Sequence, residues 1–125
     1  LSGKWSSRGA AEMGDPVKIM IAEEFSQYPV GRDSGDSTVN GEKFRTELLF
    51  PRYSEAKERD VPLEVSLAGV MSFGSSFLEE AFGGLIRKCG VDRRDLKRRL
   101  VINIGRPGDI RYKDAIIRYI DRAKG

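Results

Sequence analysis

Residue types that carry most enzyme chemistry are nearly missing from this chain of 125 residues: it has no histidine and one cysteine, Cys89. Without histidine the usual general base near neutral pH is gone, which excludes Ser-His and Cys-His catalysis. One thiol and no imidazole are too few for a structural zinc or similar metal site, and no internal disulfide can form. What remains is a pair of adjacent hydroxyls, Ser75-Ser76, two arginines, Arg32 and Arg45, able to clamp an anion, and two carboxylates, Glu79 and Asp33, able to act as acid or base. The plainer reading of both arginines is a surface or turn contact. Cys89 falls on the apolar side of its segment, a core position, and no phosphate-binding glycine pattern of the P-loop or dinucleotide type occurs. The expectation is a non-enzyme with no cofactor and no metal.

The elements around the two hydroxyls decide what they can do. Leu63 to Val70 reads as a strand. Ser76 to Cys89 reads as a helix with Phe77, Leu78, Ala81, Phe82, Leu85, Ile86 and Cys89 on one side and Gly90 as its stop. The segment from Gly69 to Gly84 runs from that strand through a small-residue turn into the helix. In open α/β sheets, ligands and partners gather beyond the carboxyl ends of the strands. A helix start offers free N–H groups and the positive dipole end, so a serine there is well placed to receive or mimic a phosphate. The same spacing also has a structural explanation. Ser76 and Glu79 fit a capping box. Phe77 fits the core. Gly83 and Gly84, each costing a helix about 1 kcal/mol relative to alanine, fit a close approach of helix to sheet.

The rest of the chain supplies the frame. Val17 to Ile21 reads as a first strand, and Phe25 to Val39 as loop. Asn40 caps a helix whose inner face includes Phe44, Leu48 and Leu49, with Pro51 ending or bending it. Charged residues from Ser54 to Asp60 then suggest a solvated connection. Asp92 to Arg99 reads as a short basic helix and Leu100 to Ile104 as a buried strand. Asp109 is placed to cap a last helix with Ile116, Ile117 and Ile120 inward. Residues 1–15, rich in Gly, Ser and Ala, read as a flexible leader or a non-native remnant, and 16–125 as one domain. Alternating strands and helices predict an α/β fold, a mostly parallel sheet of three to five strands packed against helices. With 39% hydrophobic and 33% charged residues the chain can bury a core, so disorder throughout is excluded. No apolar run approaches the roughly 20 residues that span a bilayer. A soluble, cytoplasmic protein with no membrane partner is expected.

The run Phe73-Gly74-Ser75-Ser76-Phe77-Leu78-Glu79-Glu80-Ala81-Phe82-Gly83-Gly84-Leu85 resembles the signature of the prokaryotic STAS-like domains of unknown function. Phe25 to Arg32 and Gly41-Glu42-Lys43-Phe44-Arg45 resemble that family's upstream elements, and the resemblance covers about residues 17–104. The family is similar in turn to the anti-sigma-factor antagonists, small STAS domains that bind a histidine-kinase-like ATPase and are switched by phosphorylation of a serine at this helix start. The resemblance implies a regulatory protein-protein interaction module in bacterial signalling. It makes Gly74, Ser75, Ser76, Phe77 and Glu80 the partner-binding residues and Ser76, with Ser75 second, the phosphoacceptor. The antagonists carry Asp before their serine pair and Gly after it, where this chain has Gly74 and Phe77. Docking therefore carries over more securely than switching.

Charge distribution offers a competing function. Residues 1–86 hold 9 Lys+Arg against 14 Asp+Glu, whereas residues 87–125 hold 13 against 5. Arg87, Lys88, Arg93, Arg94, Lys97, Arg98 and Arg99 put seven cations within residues 87–99, a candidate nucleic-acid or nucleotide surface whose binding would be steeply salt-dependent. No aromatic residue interleaves with them, so base stacking is poorly served. Tyr112 and Tyr119 read as packing residues. A solvated basic helix face is the plainer explanation.

Overall fold

In the computed structural model, which describes residues 14–125, three short strands run parallel in the order β1-β2-β3: β1 (Val17–Met20), β2 (Leu63–Ser66) and β3 (Leu100–Asn103). Their register aligns Val17 with Leu63 and Leu100, and Ile19 with Val65 and Ile102. Because side chains alternate across a sheet, these six share one face, and all but the half-buried Leu100 are buried. Lys18, Glu64 and Val101 align on the opposite face, where each is exposed or half-buried. Both crossovers step in the same direction. Right-handed connections then put the helices on a single face. The expected leader lies outside the described residues apart from Gly14 and Asp15.

Helices account for the rest. The turn α1 (Ile21–Glu24) follows β1 directly. α2 (Gly41–Phe44), a π-helical segment (Arg45–Leu49) and α3 (Phe50–Arg59) form one continuous helix. Asn40 caps it as expected, its Oδ1 accepting from the Lys43 N–H at 2.8 Å. Pro51 does not end it. Proline has no N–H to give the ladder and clashes with the carbonyl one turn back; the π segment, a local slip of that ladder, lies directly before it. Nor is Ser54 to Asp60 a connection: the helix runs to Arg59, burying Tyr53 and Ala56 while its charges face solvent. Asp60 ends it in the left-handed region at φ 53°.

After β2 the chain turns at Gly69 (φ 84°) and enters α4 (Ser75–Leu78), a second π segment (Glu79–Gly83) and α5 (Gly84–Arg87), again continuous. α6 (Arg93–Arg99) is capped by Asp92, whose carboxylate accepts from the Asp95 N–H at 2.9 Å. A 3-10 turn (Pro107–Asp109) leads into α7 (Ile110–Arg122). Asp109 does not cap α7 with its side chain. It is buried and accepts from the Gly105 and Arg106 N–H groups at 3.2 Å, tightening the turn before the helix. Ile116 and Ile120 face the core, whereas Ile117 is exposed. No helix among the described residues is long and apolar enough to cross a membrane.

Candidate functional site

The turn that carries the two serines sits where the strand ends predict it. Loop residues 26–31 and 69–74 are joined by Met71 N–H to Gln27 O at 2.8 Å and Gly74 N–H to Pro29 O at 3.0 Å. Arg106 reaches across from the loop after β3 and donates to the Val70 and Met71 carbonyls at 3.2 and 3.3 Å. A side chain at Gly74 would start 3.0 Å from Val30 Cγ2. The Asp that the antagonists carry at this point therefore has no room unless Val30 shifts.

Gly74, not Ser76, is the N-cap, and no side chain caps the helix. Ser75 and Ser76 are its first two residues, and Ser75 is exposed while Ser76 is half-buried. The expected capping box fails because the helix starts before Ser76, with Gly74 as its cap, and Glu79 is instead taken by two arginines. Its carboxylate accepts from Arg32 at 2.5 Å and Arg87 at 2.7 Å. Asn40 and Asp92 close their helices with side-chain oxygens; this helix start has no such side-chain acceptor. Beside it, three large apolar side chains are exposed on the two joined loops: Tyr28 at 59%, Val30 at 48% and Met71 at 48%.

Two of the expected partner-binding residues point inward. Phe77 is fully buried, its ring 5.5 Å from that of Phe44 and 5.9 Å from that of Phe25. Glu80 is 5% exposed and meets Arg45, 3% exposed, at 2.7 Å. Arg45 also donates to the Glu80 carbonyl at 2.6 Å, and Lys88 reaches the same carboxylate at 2.7 Å. Burial pushes the Glu80 carboxyl up, but the hydrogen bonds from Lys88 and Arg45 outweigh it and bring it down to about 2. For Glu79, too, burial opposes ionisation and the bonds from Arg87 and Arg32 overcome it, so its carboxyl lies below the ordinary range. Both carboxylates are engaged by cations of this chain. Asp33 accepts from the Gly35 N–H within its own turn. Arg32 and Arg45 thus bind carboxylates of this chain, Arg45 in the core and Arg32 at the surface.

Three glycines make this contact possible. A Cβ on Gly84 would collide with the Arg45 guanidinium, and one on Gly83 would lie 2.8 Å from Glu79 Oε2. Both leave space for ion pairs, not for a helix pressing on the sheet. A Cβ on Gly41 would be 2.6 Å from the Phe77 carbonyl, so α2 crosses α4 at the closest possible approach. Gly41, Phe44 and Arg45 lie at i, i+3 and i+4, one face of the helix. All three meet the 77–84 segment.

The basic run folds into the structure. Arg87 and Lys88 are held by Glu79 and Glu80. Arg93 donates to the Ile120 and Ala123 carbonyls, Lys97 pairs with Asp121, and Arg98 with Asp95. Arg99 is buried between Asp95 and the Val61 carbonyl. Six of the seven cations are therefore engaged internally, with Arg94 alone making no ion pair or hydrogen bond among the described residues.

One feature escaped the sequence reading. On the other side of α4 a groove of about 300 Å³ separates it from α7. Phe73 and Leu78 supply one wall, with Ser75 at the mouth; Tyr112 and Tyr119 supply the other, with Arg111 and Arg118 at its rim. The signal was in the sequence as the Arg-Tyr pair at 111–112 repeated two helical turns later at 118–119.

A family model described as a STAS-like domain of unknown function (DUF4325) matches residues 40–104, from the cap of α2 to just past β3. α7 lies outside the match. No curated protein and no solved structure matches the chain.

Proposed function

The chain belongs to the family of STAS-like domains of unknown function, and we propose that it acts as a regulatory module that docks a protein partner through the surface around Gly74–Ser76. The observation that carries this reading is the coincidence, on one edge, of a helix start without a side-chain cap and three exposed apolar side chains, Tyr28, Val30 and Met71. Tyrosine and methionine are typical of protein interfaces, and such a group at the surface marks an interaction site more than a solvated one. Of the two candidate acid–base groups, Glu79 is held by Arg32 and Arg87, and Asp33 accepts from a backbone N–H of its own turn.

Phe77 and Glu80 serve this site from beneath, fixing the helix start without touching the partner. Gly74, Ser75 and Ser76 remain at the surface. Of the two hydroxyls, Ser75 is the more accessible and so the better phosphoacceptor. A phosphate there would add roughly −1.5 to −2 charges. A histidine-kinase-like ATPase is the partner class implied by likeness to the antagonists.

Photo-crosslinking tests the reading. With p-benzoylphenylalanine at position 71 or 75, a discrete adduct is expected in native cells, and none from position 58 on the solvent side of α3. Equal adducts from all three positions, or none from 71 and 75, would sink it.

A further inference from the structure

Resting on that reading, we infer that the groove between α4 and α7 receives an acidic segment of the partner, anchored by an apolar side chain between its carboxylates. The inference begins with charge pairing. Six cations of the C-terminal part have a carboxylate within 4 Å: Arg87, Lys88, Lys97, Arg98, Arg99 and Arg106. Arg93 is held by two backbone carbonyls instead, and Arg94, Lys113, Arg122 and Lys124 meet no carboxylate among the described residues. Arg111 and Arg118 have none among the described residues. Each guanidinium lies over the ring of its neighbouring tyrosine, Arg111 at 4.6 Å from Tyr112 and Arg118 at 5.6 Å from Tyr119. Arg111 also donates to the Tyr112 hydroxyl at 2.8 Å. The tyrosines hold both cations at the rim.

What lies between them is apolar. The Phe73 and Tyr112 rings meet edge to face at 5.0 Å, and Leu78 is 1% exposed. Arg111 and Arg118 are two helical turns apart, about 10 Å at 1.5 Å per residue. Two positive rims at that spacing over an apolar floor match a peptide with acidic residues about two helical turns apart and a leucine or phenylalanine between them. Arginine is suited to the task because its planar fork takes a carboxylate in two parallel hydrogen bonds.

Nucleic acid fits less well. Its backbone needs a stripe of cations, whereas this groove has two; Asp114, one turn from each on the same helix, weighs equally against any anionic ligand. Lys113 is turned away, lining a separate depression with Val101 and Ile117.

The test uses the full chain, isotope-labelled for NMR. The probe is a twelve-residue peptide of glutamate and leucine with one central phenylalanine. Saturable shifts are expected at Ser75, Tyr112, Ala115 and Tyr119, with affinity falling at least tenfold in the exposed double variant R111E/R118E. A peptide with lysine for glutamate should give no saturable shift. The inference is overturned if the shifts do not saturate, if they map elsewhere, if the charge-reversed protein binds equally well, or if a dodecathymidylate binds the groove as tightly. Crosslinking separates this inference from the broader one. If adducts from positions 71 and 75 persist undiminished in R111E/R118E, the groove assignment fails and the docking module stands. If the unaltered protein gives none from those positions, the module itself fails.

Discussion

At the residue scale, the family-like motifs encode a contact between two helices. Gly41, Phe44 and Arg45 from one motif meet Phe77, Glu80 and Gly84 from the other. The buried Arg45–Glu80 pair is the sensitive point, because removing one partner strands a charge in the core at a cost of about 3–5 kcal/mol. E80A, which strands Arg45, should lose that much stability in urea unfolding, and R45A less, because Lys88 still meets the Glu80 carboxylate. The pair also sets an acid limit. The Glu80 carboxyl sits near 2 in the folded protein, against an ordinary value of 4.5. Its contribution is therefore fully present above about pH 4.5 and is lost as pH falls from there toward 2. E80Q should flatten that part of the pH-stability curve. At Gly84, alanine should stabilise an exposed helix by about 1 kcal/mol. Here G84A should destabilise, because its methyl group meets the Arg45 guanidinium. A G84A melting temperature above that of the unaltered protein would contradict this. The sequence announced both glycines but not their neighbour: helix periodicity says which face is inner, never which distant side chain lies against it.

At the element scale, legibility followed length and pattern. The strands and the 75–87 helix were readable because their apolar periodicity is strong. The second half of the 41–59 helix was not, since Pro51 and the charged run from Ser54 to Asp60 carry local signals that tertiary packing overrides. What holds that half is its inner face, where the Tyr53 hydroxyl meets the Asp95 carboxylate and Asp95 in turn holds the buried Arg99. Burial and the neighbouring Asp95 push the Tyr53 phenol well above its ordinary range. The hydrogen bonds from Arg99, more than those from Tyr53 and Arg98, hold Asp95 below its own against burial. Y53F should cost about 1.5–3 kcal/mol, the range for a hydrogen bond to a charged group. It should also remove the latest-titrating tyrosine from an ultraviolet pH titration. A Y53F protein that keeps that late transition would show the bond is absent.

At the scale of the whole molecule, the charge asymmetry read along the chain is partly neutralised across the fold. Glutamates from the acidic part neutralise Arg87 and Lys88, and Asp60 and Asp95 take up Arg99. Two sites on the helix face remain uncommitted: the apolar loops beside Ser75 and the arginine-rimmed groove behind it. Linear charge counting cannot find such a residue, because it cannot see which cations the fold has already used. Apolar side chains exposed on two loops are equally invisible until the loops are joined. The central claim is that these loops are a docking surface. The most direct measurement is the affinity of the crosslinked partner, once purified, for the M71E variant by calorimetry. At least a tenfold loss is expected, with Glu58→Lys unchanged; equal affinity for M71E and the unaltered protein would contradict the account.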